Sequence, residues 1–151
     1  MGLGRITLIG LGAFAIAAVI VNSKSKSPEQ LQAETAAATE FARQAIAPVK
    51  KSPDWLNVRI TEAKPNSFTF NIDYARPPMG GLTIVEFDTK QIARAVLTAL
   101  VKAGYQPAKE SLSLFVFASQ PVKGETSVDL VRSFGHSYYD YNNDRLIFKA
   151  N

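Results

Sequence analysis

From residue 54 to the C-terminus, apolar and polar residues alternate with a period of two in several separate stretches. Leu56, Val58 and Ile60 alternate with Asn57, Arg59 and Thr61. After Lys64-Pro65-Asn66, the residues Phe68, Phe70, Ile72 and Tyr74 alternate with Thr69, Asn71, Asp73 and Ala75. A strand sends successive side chains to opposite faces, so this pattern predicts two half-buried antiparallel strands joined by a turn. Arg76-Pro77-Pro78-Met79-Gly80-Gly81 then breaks the sheet, because proline lacks a ladder donor and glycine favours turns. Residues 82–87 read as a short third strand.

The period then lengthens. Ile92, Ala93, Val96, Leu97, Leu100 and Val101 form one stripe, with Lys90, Gln91, Arg94, Thr98 and Lys102 opposite, which predicts an amphipathic helix over 90–103. Asp88 or Thr89 supplies its N-cap and Gly104 its left-handed end. Residues 111–118 alternate again but are apolar on both faces, Leu112, Leu114 and Val116 on one and Phe115 and Phe117 on the other. Such a strand is expected at the centre of the sheet. Residues 126–134 fit strand or helix. The last stretch reads as a hairpin around a two-residue Asn142-Asn143 turn, asparagine being tolerant of positive φ. That register sets Asp140 opposite Arg145 and Tyr139 opposite Leu146. Tyr139, Leu146 and Phe148 then share the core face, and His136, Tyr138, Asp140 and Lys149 share the other.

Upstream, Ser27-Pro28-Glu29-Gln30 starts a helix: serine as N-cap, proline at the first helical position and glutamine as the capping-box partner. It runs to the residue before Pro48, and Leu31, Ala38, Phe41, Ala42, Ala45 and Ile46 make a thin apolar stripe. The expectation is a spacer rod about 30 Å long resting loosely against the domain. Glu34 falls in the seam of a strict heptad, which argues against a coiled coil.

Residues 6–21, ITLIGLGAFAIAAVIV, carry no charge. With Leu3 to Arg5 at the interface the run reaches about nineteen residues, enough to cross a bilayer as a helix. Val19-Ile20-Val21-Asn22 puts bulky residues where signal peptidase needs small ones, so the segment is read as retained. Gly10-Leu11-Gly12-Ala13-Phe14-Ala15 resembles a dinucleotide-binding turn in spacing alone. The helix after it is apolar on every face, and neither the second strand nor the acidic residue follows. Ala13 and Ala17 instead form a small-xxx-small pair for packing another membrane helix. Arg5 before the run resembles a signal-anchor start, whereas Lys24 and Lys26 weigh towards a cytoplasmic C-terminus. The signal-anchor reading is adopted, giving a bacterial single-pass protein of the inner (cytoplasmic) membrane with an extracytoplasmic domain.

The expected fold class is therefore α+β: a transmembrane helix and a spacer helix, then a small, mostly antiparallel sheet packed by one amphipathic helix. Residues 1–22 are the anchor, 23–53 the spacer helix and linker, and 54–151 the domain, about a hundred residues and large enough for one two-layer core.

Composition narrows the chemistry. There is no cysteine among the 151 residues, which excludes disulfides, thiolate metal sites and a cysteine nucleophile. The net charge of +4 comes from scattered basic residues with no patch, so no nucleic acid is expected as a partner. Asp140-x-Asn142-x-Asp144 matches the start of a calcium loop, but Arg145 and Asn151 stand where glycine and glutamate are needed. His136 is the single histidine. Beside Tyr138 and Asp140 it lacks a serine on a glycine-flanked elbow, and an exposed strand face is the simpler reading. Glu86 with Asp88, and Glu125 with Asp129, are spaced like solvated edges. No catalytic residue, cofactor or metal is assigned.

What remains points to a non-enzymatic accessory or assembly subunit of a membrane protein complex. Its partner contacts are expected at Ala13, Ala17, Leu31, Phe41, Met79, Tyr138 and Tyr141, with self-association through anchor and spacer helix as a further route. The alternative is an anchored ligand-binding or sensor domain whose pocket lies between helix and sheet, flanked by Met79, His136 and Tyr138. An anchored hydrolase is the weakest of the three.

Overall fold

A computed structural model describes residues 26–122 and 130–151. The expected anchor, with Ala13 and Ala17, lies outside the described residues.

Helix α1 spans Pro28–Ile46 and is capped as the sequence implies. The Ser27 hydroxyl accepts from the Gln30 backbone N–H at 3.2 Å, and the Ser27 N–H donates to the Gln30 side chain at 3.0 Å. Its contact with the domain is tighter than a loosely resting rod. Ala38, Phe41, Ala42 and Ala45 are buried, and the Phe41 ring lies 5.9 Å from that of Phe68. The N-terminal half of α1 stays exposed.

Strands β1 (Trp55–Lys64) and β2 (Ser67–Tyr74) pair antiparallel, as their alternation predicts. Phe68, Phe70, Ile72 and Tyr74 are all fully buried on one face. Strand β1 departs from the simple pattern through register shifts between Trp55 and Asn57 and between Ile60 and Glu62. A bulge inserts one residue and resets which face follows. Trp55 is thereby buried, whereas Leu56, expected in the core, is 59% exposed.

The expected strand over 82–87 is instead the first part of a longer helix, α2, spanning Leu82–Lys102. Gly80 and Gly81, both at positive φ, carry the chain into it. Val85, Thr89, Ile92, Val96 and Leu100 form one continuous buried stripe at helical spacing. Asp88 and Thr89, read as caps, are buried mid-helix polar groups with partners. The Thr89 hydroxyl donates to the Val85 carbonyl at 2.8 Å, and Asp88 Oδ2 accepts from Trp55 Nε1 and the Tyr74 hydroxyl, each at 2.7 Å.

Helix α2 delivers the chain to β3 (Ser113–Val122), which lies parallel to β2. Strands β4 (Leu130–Asp140) and β5 (Arg145–Ala150) complete a five-stranded sheet in the order β1-β2-β3-β4-β5. The fold is α+β with a mixed sheet, β2–β3 being the one parallel pairing among the described strands. The hairpin register is the expected one, Asp140 opposite Arg145 and Tyr139 opposite Leu146. Its turn is wider than two residues: positions 141–144 make the connection, and positive φ falls on Asp144 rather than on an asparagine. The Asp140 carboxylate takes over the ordering role, accepting from the Asn142 N–H at 3.2 Å and the Asn143 side chain at 2.7 Å.

Both helices pack on the same side of the sheet, α1 against β1 and α2, and α2 against β3, β4 and β5. Strand β3 is central as expected. Among the described elements, however, no helix covers its second face, and Phe117 is 36% exposed.

Candidate functional site: the open face of the sheet

The register assigns residues to the face away from the helices. Arg59, Asn71, Phe117, His136 and Lys149 form one row across all five strands. Thr69, Phe115, Tyr138 and Ile147 form the next, with Glu62 at its β1 end. Four rings thus meet on β3 and β4. Phe115 stacks on Phe117 at 6.0 Å between centroids and 12° between planes, and on Tyr138 at 5.9 Å and 23°. His136 closes the block, 5.1 Å from Phe117 and 6.1 Å from Tyr138. Lys149 Nζ sits 5.2 Å from the Tyr138 ring centroid, a cation–π contact.

Glycine 135 makes this placement possible. It stands beside a bulge, Ala118 pairing with Gly135 and Ser119 with Ser133, at φ 142°. A Cβ there would lie 2.5 Å from the Lys149 carbonyl oxygen. The bulge sends Phe134 towards the core, edge-on to Tyr74 at 5.7 Å and 88°, and restores His136 to the open face.

Electrostatics divide the face into a satisfied part and a free part. Arg59 donates from two nitrogens to both Asp73 oxygens, at 2.6 and 2.9 Å, and the contact raises the guanidinium pKa. Asn71 donates to Asp73 at 2.5 Å and to Ser119 at 2.9 Å. Burial of the His136 ring among its neighbours, with Lys149 adding repulsion, lowers its pKa below 6.5 and favours the neutral imidazole.

The residues expected to meet partners are not gathered in one place. Tyr138 lies in the ring block, and Tyr141 is 41% exposed in the hairpin turn. Met79 is 77% exposed in the loop before α2, and Leu31 is 52% exposed on the flank of α1. Phe41, at 5% exposure, is a core residue that reaches the surface only at the groove between α1 and α2, which corrects the expectation of an exposed contact for it. Phe115, Phe117, Ile147 and Lys149 were missed. Apolarity on both faces of β3 points to a central place in the sheet and does not say whether its second face is covered. One further sequence signal bears on that question: each helix carries a single apolar stripe, which suffices to cover one side of a sheet.

The other candidates resolve into structure. Asp140 orders the hairpin turn, and Asp144 Oδ1 accepts from the Tyr139 hydroxyl at 2.5 Å, so the calcium-like spacing serves a turn. Among the described residues, no group of three or more His, Asp or Glu is placed to hold a metal ion. Glu86 pairs with Lys90 at 2.6 Å while Asp88 is held by Trp55 and Tyr74, so the two carboxylates do not act as a pair. His136 and Tyr138 face away from the helices, so they cannot flank a pocket between helix and sheet. A trough of about 550 Å³ along the flank of α1 and a groove of about 260 Å³ between α1 and α2 touch neither of them, nor Met79.

Among the described residues, no helix is long and apolar enough to cross a membrane. Comparison with protein-family models, curated proteins and solved structures gave no match.

Proposed function

We propose that this chain is a non-enzymatic, membrane-anchored accessory or assembly subunit that acts through protein–protein contacts. The observation that carries the reading is the block of Phe115, Phe117, His136 and Tyr138 at the middle of the sheet, which no described element covers. Aromatic side chains are among those enriched in interfaces. The uncharged run at 6–21 supports membrane attachment, and its signal-anchor style supports an extracytoplasmic domain.

Purification of the full chain from membranes in mild detergent tests the reading. A stable companion is expected to co-purify with the wild type and to be lost with Phe117→Asp. Recovery of the wild type only as a lone monomer overturns the proposal. Protease added to intact spheroplasts is expected to trim the domain, and protection until lysis would reverse the topology.

A further inference from the structure

The open face has a polarity of its own. Among the described residues, Asp73 and Asp140 on it are turned down beneath the cations paired with them, while Glu62 stands partly exposed beside Lys64. Side-chain exposure is 54% for Arg59 against 9% for Asp73, 65% for Arg145 against 16% for Asp140, and 62% for Lys64 against 40% for Glu62. Lys149 is exposed, and among the described residues it has no carboxylate within salt-bridge distance. The surface therefore offers an apolar aromatic centre on β3 and β4, flanked by cationic groups on β1 and β5. Four strand spacings separate those edges, about 19 Å.

From this we infer that the open face docks an acidic, amphipathic segment of a partner protein, its apolar side chains on the ring block and its carboxylates on Lys149 and Arg145. The inference rests on the accessory-subunit reading and names the chemistry of the partner. A second copy of the chain would bring two cationic rims together in a face-to-face pair, which charge disfavours. Single-stranded nucleic acid needs free ring faces for stacking. Here the faces of Phe115, Phe117 and Tyr138 are turned to one another, and Lys149 sits on that of Tyr138.

The test uses the full chain in detergent and fluorescein-labelled synthetic peptides of glutamate and leucine in amphipathic order, with lysine–leucine counterparts. Fluorescence anisotropy is expected to show binding of the acidic peptide, weakening as salt is raised, and binding of the basic peptide at least about tenfold weaker. The double variant Lys149→Glu with Arg145→Gln should weaken acidic-peptide binding by about tenfold or more, with an unchanged thermal melt. Lys51→Gln, in the exposed link between α1 and β1, should leave it unchanged. No binding of the acidic peptide, equal binding of both peptides, insensitivity to the double variant, or tighter binding of oligothymidylate through Phe117 would each overturn the inference. If the double variant misfolds, Lys149→Gln alone serves, with a smaller loss expected. A companion that co-purifies and depends on another surface would sink this inference and leave the accessory reading standing. Acidic-peptide binding by a chain that recruits no companion would do the reverse.

Discussion

The two faces of this sheet are made by the same five strands, yet they solve different problems. On the face under α1 and α2, β3 contributes Leu114, Val116 and Ala118, each at most 1% exposed, and β2 contributes four fully buried side chains. Two polar groups trapped there are paired, Asp88 with Trp55 and Tyr74, and Thr89 with Ser137 at 2.7 Å. On the open face, β3 contributes Phe115 and Phe117, which bury one another only in part, beside a charged lattice with its cations uppermost. The covered face excludes water and demands that every buried donor find a partner. The open face keeps water and leaves rings and cations partly exposed. Stability is therefore concentrated on one face, the other is the surface proposed for recognition, and the contrast can be attacked directly.

The largest effect is expected from truncating matched aromatics on the two faces. Phe70→Ala should cost about 3–5 kcal/mol, since the ring is fully buried and its loss leaves a cavity. Phe117→Ala should cost under about 1.5 kcal/mol, because the ring is partly in water already. Urea unfolding of the two variants gives both numbers, and equal losses would erase the distinction between the faces.

Next comes the buried polar latch. Asp88→Ala strands the Trp55 indole N–H and the Tyr74 hydroxyl, and should cost about 2–3 kcal/mol. Burial first, and then the bond to Asp88, raise the Tyr74 pKa, so its hydroxyl stays a donor at neutral pH. A melt of Asp88→Ala unchanged from wild type would show that the latch contributes little.

Gly135→Ala places a Cβ 2.5 Å from a backbone oxygen at a φ that L-residues rarely adopt. The expected loss is on the order of 1–3 kcal/mol, together with altered shifts of His136 and Phe134 in NMR spectra. Wild-type spectra and stability in this variant would mean that the bulge is not what splits Phe134 and His136 between the faces.

The smallest effect belongs to pH. The His136 pKa is lowered from 6.5 by desolvation and then by Lys149, so the unfolded chain takes up the proton first as pH falls. Stability is thus at its full value above about 6.5 and declines below it, until the folded-state pKa is also passed. Thermal melts at about pH 7.5 and 5.5 should show this slope, and His136→Gln should flatten it. A slope unchanged by the substitution would assign the pH dependence to carboxylates, such as Glu62, whose pKa is lowered by Ser67 and Lys64.

Much of the candidate site was within reach of the sequence, but not its extent. Tyr138 and His136 could be placed on the non-core side because the hairpin register follows from one turn and one charge pair. Phe115 and Phe117 could not, since alternation says that two residues share a face and does not say whether that face is covered. Met79 and Leu31 are exposed as expected, yet they lie in other elements, and nothing in their spacing told how far apart folding would set them.

What the sequence determined alone is whatever rests on a few neighbouring residues: the Ser27–Gln30 cap, the alternation of β2, the central rank of β3, and Asp140 opposite Arg145. These depend on backbone period and on hydrogen bonds within a turn, and those free energies are local. Tertiary structure decided the rest. Residues 82–87 are helical because Val85 continues the stripe of Ile92 and Val96 onto the sheet, and because Trp55 and Tyr74, from two strands, satisfy Asp88. Leu56 faces water because β1 bulges against β2, a one-residue shift that only the partner strand reveals. Phe41 is buried because Phe68 lies beneath it. Phe117 is exposed because two helices with one apolar stripe each cover one side of a sheet, and the chain's choice of side is a property of the whole packed core.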